Sequence, residues 1–321
     1  MIGNIITLFA LVALVVLFAW FTKRAWGSKH KILKWLALVL AGLLTLLFGL
    51  IAVVGAKGIV QLYMPYPVAP AQVTVVGTPD QIARGEHLAT VLCASCHSMN
   101  GELPLSGGNN LAADTGLPLG DIYPPNITPA GKIKDLSDND VWRILHTGVE
   151  SNGRLTFMTV VNSRYMSDED ALAVIAYLRH APAVQNERPP VNFSFLTALF
   201  AGAGLLTFDV PSTIPPVSVT SKGPTKEYGQ YVTSFMDCRT CHGPTLSADA
   251  PPPAPPAPNL TLIVPKWSKG DFFQAMRTGV DRDGHSISPP MPWKTIGKLD
   301  DVELTALYEY LHNLAPIVKA K

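Results

Sequence analysis

Two stretches of this sequence share one pattern, Cys93-Ala94-Ser95-Cys96-His97 and Cys238-Arg239-Thr240-Cys241-His242. The chain of 321 residues contains four cysteines, and all four belong to these two stretches. A chain of this length has room for two modest domains. The repeated pattern therefore predicts two domains of one kind, each organised around one copy of the motif.

The C-x-x-C-H pattern is the attachment signature of c-type haem. Two thiols three residues apart lie on one side of a helical turn, where they can form thioethers with one porphyrin, and the adjacent histidine can ligate the iron. A redox-active dithiol and half of a zinc site are the other interpretations, but neither explains why a histidine follows both pairs. The sequence predicts two covalently bound haem c groups, attached through Cys93, Cys96, Cys238 and Cys241, with His97 and His242 as axial ligands of iron.

A second axial ligand is expected for each iron, and a methionine thioether raises the reduction potential relative to histidine. Met291 lies in Pro289-Pro290-Met291-Pro292-Trp293, where flanking prolines restrict the backbone. Met158 occupies the corresponding position of the first half, at an offset of 133 residues, and Met166 is the alternative eight residues later. We therefore predict Met158 and Met291 as ligands. The other histidines after the apolar N-terminal region are interpreted as ordinary surface or core residues: His87, His146, His180, His285 and His312.

The repeat extends beyond the cysteines. Pro125-Asn126-Ile127-Thr128 recurs as Pro258-Asn259-Leu260-Thr261, and Ala176-Tyr177-Leu178 recurs as Glu309-Tyr310-Leu311. Each half is predicted to contain a helix with the motif, an irregular stretch, a middle helix, a loop and a last helix. A glycine shortly before each motif would allow the first and last helices to cross closely, and these glycines are Gly85 and Gly229.

The N-terminal region explains why only 15% of the residues are charged, against about a quarter in soluble proteins. No charged side chain occurs between Met1 and Thr22, or between Trp35 and Ala56. About 20 apolar residues are needed to cross a bilayer. We predict a membrane anchor over residues 1–60, with transmembrane helices at about 4–22 and 35–56. A cleaved signal peptide is the weaker interpretation, because no basic segment precedes the first run.

The orientation follows from the loop at 23–34, which carries five lysine or arginine residues and no acidic one. Positive loops stay on the cytoplasmic side. The N-terminus and everything after Ala56 are therefore predicted on the periplasmic face of a bacterial cytoplasmic membrane. The formal net charge of +1 excludes a strongly basic nucleic-acid-binding protein, and no nucleic-acid partner is expected.

The rest of the chain divides by composition. We predict a linker at 61–79, a first domain at 80–184, a second linker at 185–224 and a second domain at 225–321. The second linker contains an apolar run at 193–208, which is too short to span a bilayer comfortably. This run is expected to be a packed linker helix or a docking surface at the membrane face.

These motifs resemble those of tandem class I cytochromes c. Residues 81–316 are similar to the cytochrome subunits of membrane-bound alcohol, aldehyde and gluconate dehydrogenases, through Asn126-Ile127-Thr128-Pro129, the Met158 segment and Ser167-Asp168-Glu169-Asp170. Together with the apolar runs, the resemblance implies a mostly α-helical protein in which two transmembrane helices precede two tandem class I cytochrome c domains.

The resemblance also implies that Pro125 and Pro258 line the histidine side of the haem pockets, where their carbonyls would hold the imidazole N–H. Two features depart from the dehydrogenase subunits. Those subunits usually carry three C-x-x-C-H motifs, and an N-terminal helical hairpin is closer to the dihaem subunit of some terminal haem–copper oxidases.

The expected function is electron transfer on the periplasmic face, as a subunit of a respiratory or photosynthetic complex rather than as an enzyme in isolation. The donor would be a quinol-oxidising complex or dehydrogenase in the membrane, and the acceptor a terminal oxidase or a soluble electron carrier. The alternative is a dihaem redox enzyme, such as a peroxidase or a thiosulfate- or nitrite-converting cytochrome, with an open iron site at the first haem. Binding of carbon monoxide or cyanide would distinguish the two.

Overall fold

A computed structural model describes residues 1–318 except 209, 212, 215, 216, 218, 220, 252 and 253. Residues 252, 253 and 319–321 of the predicted second domain, and six residues of the predicted linker at 185–224, lie outside the described residues. The described chain is mostly α-helical, as predicted. Its helices are α1 (Ile2–Trp26), α2 (Lys31–Tyr63), α3 (Pro79–Leu88), α4 (Ala94–His97), α5 (Asp138–Thr147), α6 (Asp168–His180), α7 (Phe195–Gly202), α8 (Lys226–Phe235), α9 (Cys238–His242), α10 (Leu260–Ile263), α11 (Lys269–Thr278), α12 (Trp293–Ile296) and α13 (Asp301–His312).

Helices α1 and α2 pack against each other as a hairpin, and both are long and apolar enough to cross a membrane. The 33 residues of α2 correspond to about 50 Å of helix, more than the roughly 30 Å of a bilayer hydrocarbon core. The side-chain amide of Asn4 donates to the carbonyl of Phe193 at 3.0 Å and also contacts the hydroxyl of Tyr63. The start of α1 and the end of α2 therefore lie together, beside the remainder of the chain.

Residues 64–78, which we call the strap, run from α2 to the first domain without forming a helix or a strand. The strap is fastened along its length. Arg143 donates to the carbonyl of Ala69 at 2.8 Å, and the backbone N–H of Val73 donates to Asn139 at 2.8 Å. Ala69 is only 1% exposed, so the strap is part of the packed structure.

Each cytochrome-like half is built on one helix crossing. In the first, Gly85 of α3 lies so close to the carbonyl of Ala173 in α6 that a Cβ atom would overlap it. In the second, Gly229 of α8 has the same relation to Ala306 in α13. The predicted glycine crossings are confirmed in both halves.

The linker between the halves returns to the helical hairpin. A short antiparallel pair joins β1 (Gly120–Asp121) to β2 (Asn192–Phe193), and α7 follows directly. Helix α7 packs on the end of α2, with Ala198 against Gly58 and Gly202 against Val54. The apolar run predicted at 193–208 therefore contains a packed helix.

The two halves pack against each other through equivalent residues. The imidazole Nε2 of His87 lies 2.6 Å from a carboxylate oxygen of Glu303, and the hydroxyl of Tyr231 donates to Asp170 at 2.7 Å. His87 and Tyr231 each follow the crossing glycine by two residues, and Asp170 and Glu303 are each the third residue of the last helix. The interface thus has an approximate twofold symmetry.

Arg84 lies at the centre of this interface. Its guanidinium donates to Asp170 at 2.8 Å, to the hydroxyl of Tyr228 at 3.0 Å and to Glu303. The side chain of Glu303 is fully buried. Burial alone would raise the pKa of Glu303, but the hydrogen bond from His87 and the charge of Arg84 outweigh it and lower the pKa to about 2. Glu303 is therefore ionised at neutral pH.

Candidate haem sites

The first C-x-x-C-H motif follows α3 without a break. A single π-helical turn spans Ala89–Cys93 and continues into α4, which ends at His97. The imidazole Nδ1 of His97 lies 2.8 Å from the carbonyl oxygen of Pro125. A carbonyl can only accept, so Nδ1 carries the proton and Nε2 keeps the lone pair that an iron ligand requires.

The second motif forms α9 and has the same contact. Nδ1 of His242 lies 2.9 Å from the carbonyl oxygen of Pro258. Burial lowers the pKa of both His97 and His242 and outweighs the opposite effect of the proline carbonyls. Both imidazoles are therefore neutral at pH 7, which is the form that binds a metal.

The proline carbonyls are held in place by the asparagine that follows each of them. The amide of Asn126 donates to the carbonyl of Val184 at 2.7 Å, and the amide of Asn259 donates to the carbonyl of Ile317 at 2.9 Å. Each asparagine also accepts hydrogen bonds from the threonine two residues later. The repeated Pro-Asn-x-Thr sequence therefore anchors the segment that orients the histidine.

The cysteines are half-buried and are not paired as disulfides. Burial raises the pKa of Cys93 and of Cys238 to about 12. A redox-active dithiol depends on a thiolate with a lowered pKa. This environment therefore disfavours the redox interpretation of the motif.

The two candidate methionines of the first half differ in their surroundings. Met158 is half-buried at the start of a 3₁₀ turn, and its N–H donates to the hydroxyl of Thr156 at 3.2 Å. Met166 is only 2% exposed and belongs to the hydrophobic core itself. Met158 and Cys93 lie against that same core from its edge. This arrangement favours Met158 as the iron ligand, and the assignment stays a prediction.

The second half repeats the arrangement. Met291 and Cys238 are both partly buried and pack against one core cluster. Each half thus offers two thiols, a neutral imidazole nitrogen and a thioether around one core. This donor set fits a covalently attached haem with histidine and methionine as axial ligands.

One histidine near these sites has a structural counterpart in the other half. Nδ1 of His146 lies 3.3 Å from the carbonyl of Arg164, and its Nε2 lies 3.7 Å from Asp168. Burial lowers the pKa of His146, and its Nε2 has no hydrogen-bond partner among the described residues. The equivalent residue of the second half, Arg277, forms an ion pair with Asp301 at 2.8 Å. His146 thus occupies the position of Arg277 beside the start of the last helix, but as a buried neutral imidazole.

The sequence interpretation of His87 as an ordinary residue misses its place in the interface. The network of Arg84, His87 and Glu303 joins side chains more than 200 residues apart, a distance that no local pattern spans. The one local signal is that Arg84 and His87 lie on either side of the crossing glycine in α3, and it does not identify Glu303 as their partner.

Comparisons with known proteins match both halves. The family described as cytochrome c matches residues 82–182 and 227–315, which is more than half of the chain. The gluconate 2-dehydrogenase cytochrome c subunit of Pantoea cypripedii is 29% identical over 270 residues, covering 73% of this chain and 59% of that protein. The alcohol dehydrogenase (quinone) cytochrome c subunit of Gluconobacter oxydans is 26% identical over 102 residues, covering 28% of this chain and 21% of that protein.

A further relative is the fructose dehydrogenase cytochrome subunit of Gluconobacter japonicus. It is 25% identical over 135 residues, which cover 38% of this chain and 27% of that protein. The chain therefore spans less than two thirds of the length of each of these relatives.

Proposed function

This chain belongs to the cytochrome c family, and we propose that it is a membrane-anchored dihaem cytochrome that passes electrons between a membrane donor and a downstream acceptor. Membership in the family implies covalently bound haem c, and haem iron supplies the one-electron chemistry. The protein positions the haem, provides the axial ligands and excludes water.

The observation that carries the proposal is the histidine site that recurs in both halves, which we call the histidine cradle. In each half a neutral imidazole, beside two half-buried thiols, is fixed by a proline carbonyl at 2.8 or 2.9 Å. Such a hydrogen bond sets the tautomer and raises the basicity of a metal ligand. Two equivalent cradles in one chain support two haems rather than one.

The interface between the halves supports electron exchange within the chain. Val91, two residues before Cys93, is buried in the core of the second domain with Met236 and Phe235. The π-helical turn that contains Val91 also contacts α12, which begins two residues after Met291. The attachment segment of one proposed haem therefore lies beside the methionine loop of the other.

The haem count is tested by a pyridine haemochrome assay and intact mass measurement on the purified chain. We expect two haem c groups per chain. One haem per chain would contradict the proposal, and Cys93→Ala/Cys96→Ala and Cys238→Ala/Cys241→Ala variants would identify the occupied motif.

The methionine ligands are tested by optical spectroscopy and carbon monoxide binding. We expect a methionine–iron charge-transfer band in the oxidised protein and no carbon monoxide binding. Met158→Ala should open the first site to carbon monoxide, whereas Met166→Leu should not. Carbon monoxide binding by the unmodified protein would instead favour a redox enzyme with an open site.

We propose that α1 and α2 span the membrane, with both cytochrome domains on the periplasmic side. The basic loop between the helices and the proximity of Asn4 to Tyr63 support a hairpin with both ends on one face. Protease added to intact spheroplasts should digest the cytochrome domains. Protection until the membrane is opened would contradict this orientation.

The partner is proposed to be a membrane redox complex, because the relatives are named as cytochrome subunits of dehydrogenases. A quinol-oxidising complex, a terminal oxidase and a soluble carrier are the other proposed exchange partners. Mild detergent purification of the tagged chain should recover a partner in fixed stoichiometry. Recovery of the dihaem chain alone would contradict a permanent complex and favour a tethered shuttle.

A further inference from the structure

Helix α7 lies against the part of α2 that would leave the membrane. Its contacts on α2 begin at Val54, Gly55 and Gly58 and extend to Leu62, which packs in one cluster with Ala198. At about 1.5 Å per residue, Val54 lies roughly 28 Å and Gly58 roughly 35 Å along the helix from Trp35, where the apolar run begins. A hydrocarbon core is about 30 Å thick. The contact therefore falls at the outer edge of the predicted span.

The fit between the two helices is close and uses small residues. A Cβ atom on Gly58 would overlap the carbonyl of Ala198, one on Gly202 would overlap the carbonyl of Val54, and one on Gly55 would overlap the ring of Phe195. Small residues at such contacts let two backbones approach closely, as they do between helices in membranes. The position of α7 against the hairpin is therefore fixed.

The segment around α7 has the composition of a lipid-facing helix. No charged side chain occurs from Pro189 to Phe208. Leu205, just after the helix, is 55% exposed. Exposed apolar side chains of the hairpin lie at the same end, namely Ile2, Ile6, Val53 and Val60. The apolar surface of the hairpin thus continues onto α7.

We propose that α7 is an interfacial helix, seated in the outer leaflet between lipid headgroups and acyl chains as a third membrane contact of the chain. This inference rests on the proposed membrane anchoring of α1 and α2. It follows from the continuity of the apolar surface and from the depth of the contact on α2, since an uncharged, apolar segment at that depth is stabilised by burying its exposed apolar side chains in lipid.

The proposed seat also orients the first domain. Phe157, next to Met158, packs in one cluster with Leu62, Phe193 and Ala198. The backbone N–H of Tyr66 donates to the carbonyl of Gly153 at 2.8 Å. The loop that carries Met158 therefore lies beside the end of α2 that leaves the proposed membrane span. The first proposed haem is the one nearer the bilayer.

Cysteine protection tests the proposal in the haem-loaded full chain, in nanodiscs of phosphatidylcholine and phosphatidylglycerol. The native cysteines are bound to haem, so an added cysteine is the unique free thiol. Leu205→Cys should react with a water-soluble maleimide at least tenfold more slowly than Val302→Cys, whose parent residue is 39% exposed in the second domain. Equal rates would overturn the proposal.

Two controls separate the possible failures. Leu46→Cys, in the middle of α2 and 71% exposed in the protein alone, should be unreactive. If it reacts quickly, the proposed anchoring itself fails. If Leu46→Cys is protected while Leu205→Cys reacts quickly, the anchoring holds and only the interfacial position of α7 is wrong.

A matched glycine pair tests the contact that seats α7. Gly58→Leu, combined with Leu205→Cys, should raise the maleimide rate toward that of Val302→Cys, because the leucine side chain would displace Ala198. Gly49→Leu should not, because a Cβ atom at Gly49 meets nothing within 4 Å. A Gly58→Leu variant with full haem content and unchanged protection would contradict the proposal.

Crosslinking gives a positive signal on the unmodified chain. A phosphatidylcholine that carries a diazirine near the glycerol should label residues 195–206. Labelling of α1 and α2 without any label in this segment would overturn the proposal.

Discussion

The two cytochrome domains have the same internal construction but different surroundings. In each, a glycine crossing, a proline carbonyl and an asparagine tie produce the same histidine geometry. The first domain is also held by the strap, by the end of α2 and by the second domain. The second domain is held through its interface with the first. The duplicated scaffold thus preserves the histidine geometry, while the outer contacts place only the first copy beside the apolar helical hairpin.

The two domains differ most clearly in the residues that they contribute to their shared interface. The equivalent acids Asp170 and Glu303 both receive hydrogen bonds from Arg84, although Arg84 belongs to the first domain. Its counterpart in the second domain is Tyr228, which contributes a neutral hydroxyl. One cation therefore neutralises charge on both sides of an approximate twofold axis.

The largest expected effect comes from removing one haem attachment at a time. Cys93→Ala/Cys96→Ala should lose one haem and also weaken the second domain, because Val91 is buried in that domain's core. Cys238→Ala/Cys241→Ala should lose one haem and leave the first domain fastened by the strap. Haem content and limited proteolysis of the two variants would measure the difference. Equal proteolysis of both domains in both variants would contradict it.

Removal of Glu303 should have the next largest effect. Breaking a buried ion pair costs about 3–5 kcal/mol, because the remaining charge is left uncompensated. Glu303→Ala should lower the free energy of unfolding by that amount in urea titrations. Glu227→Ala removes a carboxylate that is 52% exposed and should change the free energy by about 0–1 kcal/mol. A similar effect of both variants would refute a special role of the interface.

The same carboxylate makes stability depend on pH. The pKa of Glu303 is lowered from 4.5 to about 2 in the folded chain, so its contribution is complete above pH 4.5 and is lost as pH falls toward 2. The charged and titratable groups that contact it are Arg84, His87, Lys222 and the N-cap residue Asp300. The free energy of unfolding should therefore fall across this window, and less steeply in Glu303→Gln. Equal slopes in the two proteins would contradict the prediction.

The glycine crossings should show smaller and similar effects in the two domains. Gly85→Ala and Gly229→Ala would each place a methyl group against a carbonyl and separate the crossing helices, which costs about 1–3 kcal/mol. Gly270→Ala in α11 is the control, because its Cβ would meet only the Ser268 hydroxyl at 3.7 Å. It should leave stability within about 1 kcal/mol. Thermal unfolding of the three variants measures this order.

The smallest effect is expected for the exposed counterpart of His146. Arg277 is 35% exposed and pairs with an 84% exposed Asp301, so Arg277→Ala should cost about 0–1 kcal/mol. The two positions are equivalent in the repeat, but the His146 side chain is only 1% exposed. His146→Ala should cost more, through lost packing against Trp142. Equal losses in urea titrations would mean that burial does not distinguish the two positions.

Local patterns predicted the features that depend on neighbouring residues. The C-x-x-C-H motifs, the apolar runs and the glycine positions indicated two helical cytochrome domains after a membrane hairpin. The family match and the helices confirm two cytochrome c segments after two long apolar helices, and the membrane placement stays a prediction. The bond between His97 and Pro125 followed from a family resemblance and is present in the structure. The roles of these residues toward haem stay predictions.

Contacts between distant segments could not be predicted in this way. Arg84 and Glu303 are polar residues on short helices, and nothing near them in the sequence indicates that they meet. The packing of the strap had a weak signal. Ala69, Ala71, Val73 and Val75 alternate with period two, which is typical of an extended segment with one buried face.

The strap determines how a chain anchored as proposed would meet its partners. A flexible tether of this length would let the domains move freely above the membrane. In this chain, Ala69 and Val73 are instead hydrogen-bonded to the first domain. The domains would then keep a constant distance from the membrane and a constant orientation. Encounters with partner proteins would arise from lateral diffusion in the plane of the bilayer. Collision frequency would scale with the number of molecules per membrane area rather than with the volume of the compartment.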